Sequence, residues 1–287
     1  MTIDTVGIEG AFDSVRGWYD SDPEFRHNCH DVMHIVGSVA HDEFAKNRTT
    51  FNRPEAAFCG FGFYHGFIEQ ALLSSGNDFS EARAYCDNLA EKHGIPGTAA
   101  ACYHGIGHAM FDALPASDWG NPERMAGVGI RICERILGDS FKRELCASGV
   151  YNSLANAMSG HQYGLTFDTT KPIPVCATQK PEYQSYCYME VGNGLIREGH
   201  WTQEQEWSYL MSLDSAVRRH VIEAYVHSEV KHASESESVA FIAGMCNALS
   251  GSEAEVCVEG AVSGFFASSK PGEEHAKGPE FCGALHD

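Results

Sequence analysis

The sequence predicts an all-α fold of about five to six disulfide-stapled helical hairpins, stacked into an α/α superhelix or closed into a toroid. Three observations support this prediction. The 287 residues include eleven cysteines, most of which fall into pairs. The segments around them repeat every roughly 35–50 residues, a period typical of helical solenoids. Within segments such as FSEARAYCDNLAEK, apolar residues return every three or four positions, as on an amphipathic helix.

The two cysteines of a pair differ in their surroundings. In the clearest cases the first is followed by an apolar residue three or four positions later. The second opens a Cys-x-x-small pattern, although Cys187 has Glu190 in place of the small residue. Aligning the first cysteines with one another, and the second cysteines likewise, gives the pairs Cys86/Cys102, Cys133/Cys146, Cys176/Cys187 and Cys246/Cys257. Cys29/Cys59 fits as a first pair that contains a longer insertion. Each bridge would close a loop of about 10–30 residues and contribute on the order of 3 kcal/mol. Cys282 opens a unit that the chain does not complete, so we expect it to be unpaired.

We interpret residues 1–287 as a single helical-repeat domain. Units that could hold a metal occupy 25–115, later repeats occupy 119–267, and a terminal half-repeat occupies 278–287. A cysteine-free unit lies between Cys187 and Cys246, where His220 takes the place of the second cysteine.

Glycines recur three residues after the second cysteine, at Gly62, Gly105, Gly149 and Gly260. Inside a helix each glycine costs roughly 1 kcal/mol relative to alanine. We therefore interpret them as points where two helices pack closely. The alternative is the close approach of a ligand.

The bulk composition excludes some classes of function. The formal net charge of −19 argues against a nucleic-acid partner. Since no apolar run of about 18 residues occurs, we expect no membrane span. The cysteine pattern favours bridges, so we expect a periplasmic or secreted protein whose leader is not present in this chain.

Potential metal ligands are concentrated in the N-terminal units. Three pairs with i,i+4 spacing occur there: His30/His34, His65/Glu69 and His104/His108, with Asp112 four residues further on. Residues at this spacing share one helix face, and such pairs on neighbouring helices are how helical proteins build metal sites. We therefore predict that the five histidines hold one or two transition-metal ions, Fe, Cu or Zn, which suit imidazole.

Candidate catalytic residues lie beside these ligands. Glu69 or Asp112 could act as general base, and Tyr103, like Tyr64, could supply a hydroxyl that supports the ligands. The alternative is that the histidines only form hydrogen bonds between helices, since asparagine replaces His65 and His108 in the next repeats.

The function predicted from these residues is that of a metal-dependent enzyme acting on a small molecule or peptide, with oxygen-activating redox chemistry favoured over hydrolysis. The sequence contains neither a Gly-x-Ser-x-Gly elbow nor a P-loop. The alternative function is a non-catalytic extracytoplasmic scaffold that binds a peptide, a glycan or a metal on its concave face.

Overall fold

A computed structural model describes residues 3–47, 51, 53–92, 97–111, 113–167, 174–198, 201–232, 238–268 and 275–285. Across these residues the chain is helical and contains no β-strand, which confirms the all-α prediction. The α-helices are α1 (Ile3–Ser21), α2 (Pro23–Asn47), α3 (Gly62–Ser74), α4 (Phe79–Lys92), α5 (Thr98–Ala109), α6 (Pro122–Ile136), α7 (Ser140–Ser159), α8 (Pro174–Ala177), α9 (Pro181–Glu198), α10 (Gln203–Ser212), α11 (Ser215–His232), α12 (Ser238–Asn247), α13 (Ser252–Ser268) and α14 (Gly278–Ala284). Short 3-10 helices lie at Pro54–Ala57, Cys59–Phe61, Ala116–Asp118 and Gln162–Gly164.

The chain divides into two compact units. The first comprises Met1–Pro115 and Gly127–Val150, and the second comprises Ala116–Ala126 and Tyr151–Asp287. In the first unit α2 packs on α3, and α3 packs on α5. In the second unit α11 packs between α9 and α13, around a core that includes Tyr225. The organisation of 1–287 as a single domain stays a prediction.

The predicted disulfides are all formed. The bridges are Cys29–Cys59, Cys86–Cys102, Cys133–Cys146, Cys176–Cys187 and Cys246–Cys257. Four of them join a helix to the helix that follows it, as the hairpin pattern predicts. The first differs because it joins α2, which contains Cys29, to the 3-10 helix at Cys59–Phe61 that precedes α3. Helix α2 itself packs along α3. Cys282 is free and exposed, as expected.

The repeated glycines bring neighbouring helices into backbone contact. A Cβ atom added to Gly62 would lie 2.5 Å from the carbonyl oxygen of His30, and one added to Gly149 would lie 2.0 Å from that of His104. A Cβ atom on Gly105 would lie 3.3 Å from the Cα atom of His65. In the second unit, Gly260 meets Glu223 in the same way, at 2.4 Å. Close helix packing is therefore confirmed as the reason for these glycines.

An ion-pair cluster fixes the segment that leads into α3. Glu55 is fully buried and pairs with Arg16 and Arg53. Arg53 also bonds to Glu9 and Asp13 of α1, both at 2.8 Å. Breaking a buried pair by removing one partner leaves a buried charge uncompensated, at a cost of about 3–5 kcal/mol. This cluster therefore anchors the segment that contains Cys59 to α1.

We predict that the unreduced, denatured protein contains one reactive thiol. Ten of the eleven cysteines are bridged, which leaves Cys282 alone. Thiol alkylation followed by intact mass measurement checks this count. The Cys282→Ser variant is the control and should show no reactive thiol. Two or more thiols in the wild-type protein would contradict the pairing.

Gly66→Ala should destabilise the protein by about 3 kcal/mol or more, because overpacking against rigid backbone cannot relax easily. The added Cβ would lie 2.0 Å from the carbonyl oxygen of His34. Gly17→Ala is the matched control, since nothing lies within 4 Å of its added Cβ. It should gain up to about 1 kcal/mol from helix propensity. Denaturant unfolding measures both, and equal effects would refute the contact.

Candidate metal centre

Five histidines from three packed helices form one cluster in the first unit. His30 and His34 lie on α2, His65 on α3, and His104 and His108 on α5. The centroid of the His65 ring lies 4.9–5.4 Å from those of the other four rings. The structure therefore brings together all five histidines that the sequence singled out. The glycine contacts explain this closeness, because they remove the side chains that would otherwise separate the three helices.

His30 is held by the backbone of the segment before α3. Its Nδ1 atom lies 2.8 Å from the carbonyl oxygen of Cys59. A carbonyl can only accept, so Nδ1 carries the hydrogen and a neutral ring keeps its lone pair on Nε2. Cys59, Gly60 and Phe61 all have left-handed backbone, with φ of 58°, 63° and 62°. This conformation costs energy at Cys59 and Phe61, and the disulfide and the Glu55 cluster hold it in place.

His34 is held by a carboxylate. Its Nδ1 atom lies 3.1 Å from Oε2 of Glu69, which accepts a hydrogen bond from the ring. The hydrogen of a neutral ring is therefore on Nδ1, and its Nε2 is free to bind a cation. A histidine whose second nitrogen donates to a carboxylate or a carbonyl is the usual arrangement at metal sites.

The two Nε2 atoms face each other at a distance of 3.1 Å. Two neutral rings with both Nδ1 atoms protonated would place two lone pairs in opposition, so a cation is needed between them. A proton on one ring can fill this role, and so can a metal ion. Metal–nitrogen bonds of about 2.0–2.1 Å would separate two ligand atoms by about 2.9 Å at a right angle and about 3.4 Å in a tetrahedron. The observed distance falls within this range.

His65 completes a group of three. One ligand atom each from His30, His34 and His65 lie within 4.8 Å of one another. The His65 side chain is buried, and within the described part of the chain neither of its ring nitrogens has a hydrogen-bond partner. Burial, with the four neighbouring imidazoles, lowers the pKa of His65 well below its ordinary value. The ring is therefore neutral at physiological pH and offers a lone pair, which metal binding requires.

His104 and His108 repeat the geometry of the first pair. Their ring centroids are 4.8 Å apart with an interplanar angle of 58°, against 4.7 Å and 58° for His30 and His34. Burial lowers the pKa of His108 well below its ordinary value, and the neighbouring His104, His34 and His30 add to this effect. This second pair lies on α5, which follows His65 in the chain.

Of the candidate catalytic residues, only Glu69 contacts a histidine of the cluster in the described part of the chain. Glu69 is part of the cluster, and its carboxylate is engaged with His34. The hydroxyl of Tyr103, in the part of the chain that is described, donates to Asp87 of α4 at 2.5 Å and not to a histidine. Tyr64 is buried in α3. Asp112 lies outside the described residues. The general-base roles of Glu69 and Asp112 stay predictions.

The Tyr103 contact reveals a polar network that the sequence did not indicate. Asp87 accepts hydrogen bonds from Tyr103 and from Lys142 of α7, the latter at 2.7 Å. Arg83 lies 3.5 Å from the same carboxylate. Because Tyr103 directly precedes His104, this network fixes the register of α5 on α4 and α7. Arg83 and Asp87 are four residues apart on α4, but Tyr103 and Lys142 are distant in sequence and follow no repeat, so spacing could not have revealed those two partners.

The cluster is partly exposed to solvent. The side chains of His34 and Glu69 are 23% and 28% exposed, whereas His65 is buried. An ion bound to the three histidines would thus have one buried ligand, His65, and would be accessible to solvent near His34. Three protein ligands with a remaining open position are typical of catalytic metal sites, whereas structural sites are closed.

Comparison of the chain with protein-family models, with characterised proteins and with solved structures found no match. Two general properties are nevertheless clear. Five disulfides indicate an oxidising, extracytoplasmic environment. None of the described helices has the length and apolar composition needed to cross a membrane.

Asp87→Asn should destabilise the protein by about 1 kcal/mol or less near neutral pH, since solvent weakens partly exposed ion pairs. Burial would raise the pKa of Asp87, but hydrogen bonds from Lys142 and Tyr103 outweigh it and lower the pKa below its ordinary value of 3.8. A depressed folded-state pKa contributes stability above the unfolded-state pKa, and this is lost as pH falls through the folded value.

The stability difference between wild type and Asp87→Asn should therefore be constant from about pH 8 to about pH 5 and shrink in more acidic solution. Urea unfolding across this range measures it. Glu91→Gln, which changes an exposed carboxylate of α4, is the control and should show little difference. A difference for Asp87→Asn that grew on acidification would contradict the assigned ion pair.

Proposed function

We propose that this protein binds a transition-metal ion through His30, His34 and His65 and that the ion is its reactive centre. The observation that carries the proposal is the 3.1 Å approach of the Nε2 atoms of His30 and His34, while both Nδ1 atoms are held by acceptors. Each of these two rings thus has a fixed orientation with one nitrogen directed at a common point. The buried, unpartnered nitrogens of His65 lie beside that point.

The donor set favours Cu, Zn or Fe. Ten of the eleven cysteines are in bridges and are not available as thiolate ligands. Imidazole suits these three metals, whereas Ca²⁺ and Mg²⁺ require more oxygen ligands. Among divalent ions, affinity for a given nitrogen site is highest for copper. We therefore expect copper to bind most tightly when the ions compete at equal concentration.

We propose oxygen-activating redox chemistry ahead of metal-assisted hydrolysis, on a small molecule or peptide. Both would use the coordination position that faces the exposed side of His34. A bound ion there can activate oxygen, if it is redox-active, or lower the pKa of a bound water. Glu69 acts as a positioning residue in this arrangement, because its carboxylate fixes the orientation of the His34 ring.

A second candidate function is a binding scaffold in a periplasmic or secreted protein. In this case the hairpins stack into a superhelix or toroid and present a polar surface to a peptide or glycan. The observation that favours it is a row of amides on α7. Asn156, which is exposed, donates to Asn152, and Asn152 donates to Glu190 of α9.

Metal analysis of protein purified without a His tag tests the principal proposal. The protein is stripped with a chelator and then titrated with Cu(II) or Zn(II) by calorimetry. We expect tight binding, and His34→Ala should weaken it by at least about 100-fold, more than the loss of an orienting partner does. His275→Ala, a change of an exposed histidine, is the matched control and should bind like wild type.

Glu69→Gln tests the orienting role of Glu69 separately from the binding of the ion by His34. Loss of an orienting partner typically weakens metal affinity by about 10–100-fold. We expect a loss in this range, with little change in the melting temperature of the metal-free protein because Glu69 is partly exposed.

If wild type binds neither ion and His34→Ala alters only stability, the metal proposal is wrong.

A further inference from the structure

We propose that His65 bridges two metal ions, one held by His30 and His34 and the other by His104 and His108. This inference rests on the proposed function for the first ion and extends it to a dinuclear centre. In such a centre each ring nitrogen of His65 binds one ion. The first ion has three histidine ligands, and so has the second, with His65 common to both.

The two outer pairs lie at similar distances from His65. Its ring centroid lies 5.2 and 5.4 Å from those of His30 and His34, and 5.1 and 4.9 Å from those of His104 and His108. The two outer pairs have matching spacing and the same interplanar angle. A single-ion centre explains only the first pair. The second pair has the same i,i+4 arrangement and a similar distance to the central ring.

The nitrogens of His65 provide the second, independent observation. The ring is buried, and across the described residues neither Nδ1 nor Nε2 has a hydrogen-bond partner. A buried histidine that serves packing alone normally satisfies at least one ring nitrogen. One metal ion would satisfy one nitrogen and leave the other without a partner. Two ions satisfy both.

The backbone permits the second helix to approach this ring. Gly105 lies between His104 and Ile106 on α5, and its Cα faces the Cα of His65. A Cβ there would lie 3.3 Å from that atom and 3.5 Å from the His65 ring. A larger residue there would require His65 or α5 to shift, so glycine allows the closest approach of the two helices.

Binding of the second ion involves a defined proton. Neutral His65 has one nitrogen with a lone pair and one with a hydrogen. The first ion bonds to the lone pair, and the second replaces the remaining N–H hydrogen, which leaves as a proton to the buffer. No electrons are transferred in this step. Metal–nitrogen bonds of about 2.0 Å on both sides of the ring would place the ions about 6 Å apart.

The two ions should bind in sequence. His30 and His34 already direct their Nε2 atoms at one point. The rings of His104 and His108, by contrast, lie at 31° and 28° to the plane of His65, so they partly face it. They must turn before their nitrogens share an ion with His65. We therefore expect the first ion to bind at least about tenfold more tightly than the second.

Copper(II) titration of the full-length, metal-free protein tests the bridge. We expect two equivalents to bind, with one proton released as the second ion binds, measured by calorimetry in buffers of different ionisation enthalpy. The integrated electron paramagnetic resonance signal should rise with the first equivalent. It should then fall with the second at low temperature, because a bridging imidazolate couples the two spins antiferromagnetically.

Two variants assign the ions. His104→Ala with His108→Ala should bind one equivalent with an undiminished signal. His65→Phe, which retains a buried ring of similar shape, should lose the spin coupling and weaken both ions. His275→Ala is again the control and should behave like wild type. Circular dichroism and melting of each metal-free variant show whether it folds.

The outcomes separate the two proposals. One tightly bound equivalent, lost in His34→Ala, would retain the proposed function and overturn the bridge. Two equivalents with two independent full signals would also overturn the bridge. A wild-type protein that binds no ion would refute the proposed function itself.

Discussion

Backbone contact between successive helices is the constraint on which this structure depends. In the first unit, glycines of α3 and α7 lie against carbonyl oxygens of His30, His34 and His104, at distances where no Cβ atom would fit. Helices with larger residues at these contacts would lie farther apart. Side chains on neighbouring helices would then be too distant to share an ion. The glycines weaken each helix individually, and the close packing that they permit offsets this loss.

The same constraint brings the lone pairs of several imidazoles close together. Four imidazoles surround His65 at centroid distances of 4.9–5.4 Å, and burial lowers the pKa values of His65 and His108 well below the ordinary value. Acceptors at Cys59 and Glu69 fix the hydrogens of His30 and His34 on the outer nitrogens. The inner nitrogens therefore concentrate lone pairs at one place. A proton on one of the two rings, or a bound ion, would relieve the repulsion between these lone pairs.

The disulfides and the ion pairs maintain this arrangement by different means. The bridges reduce the entropy of the unfolded chain and limit how far each hairpin can open. The buried Glu55 cluster and the Asp87 network act on the folded state, where they fix the segment before α3 and the register of α5. The strained backbone at Cys59 and Phe61 lies at and directly after a disulfide, a few residues beyond the buried Glu55. Strain of this kind persists only where its surroundings hold it.

The sequence by itself determined the helical class, all five cysteine pairs, the unpaired Cys282 and the five histidines, because helical periodicity and the repeat place these residues on predictable faces. It could not determine which face of one helix meets which face of the next. The tertiary structure decided that the histidines of α2, α3 and α5 converge, that Glu69 orients His34, and that Tyr103 bonds to Asp87. These are contacts between residues distant in the chain, and local spacing carries no information about them.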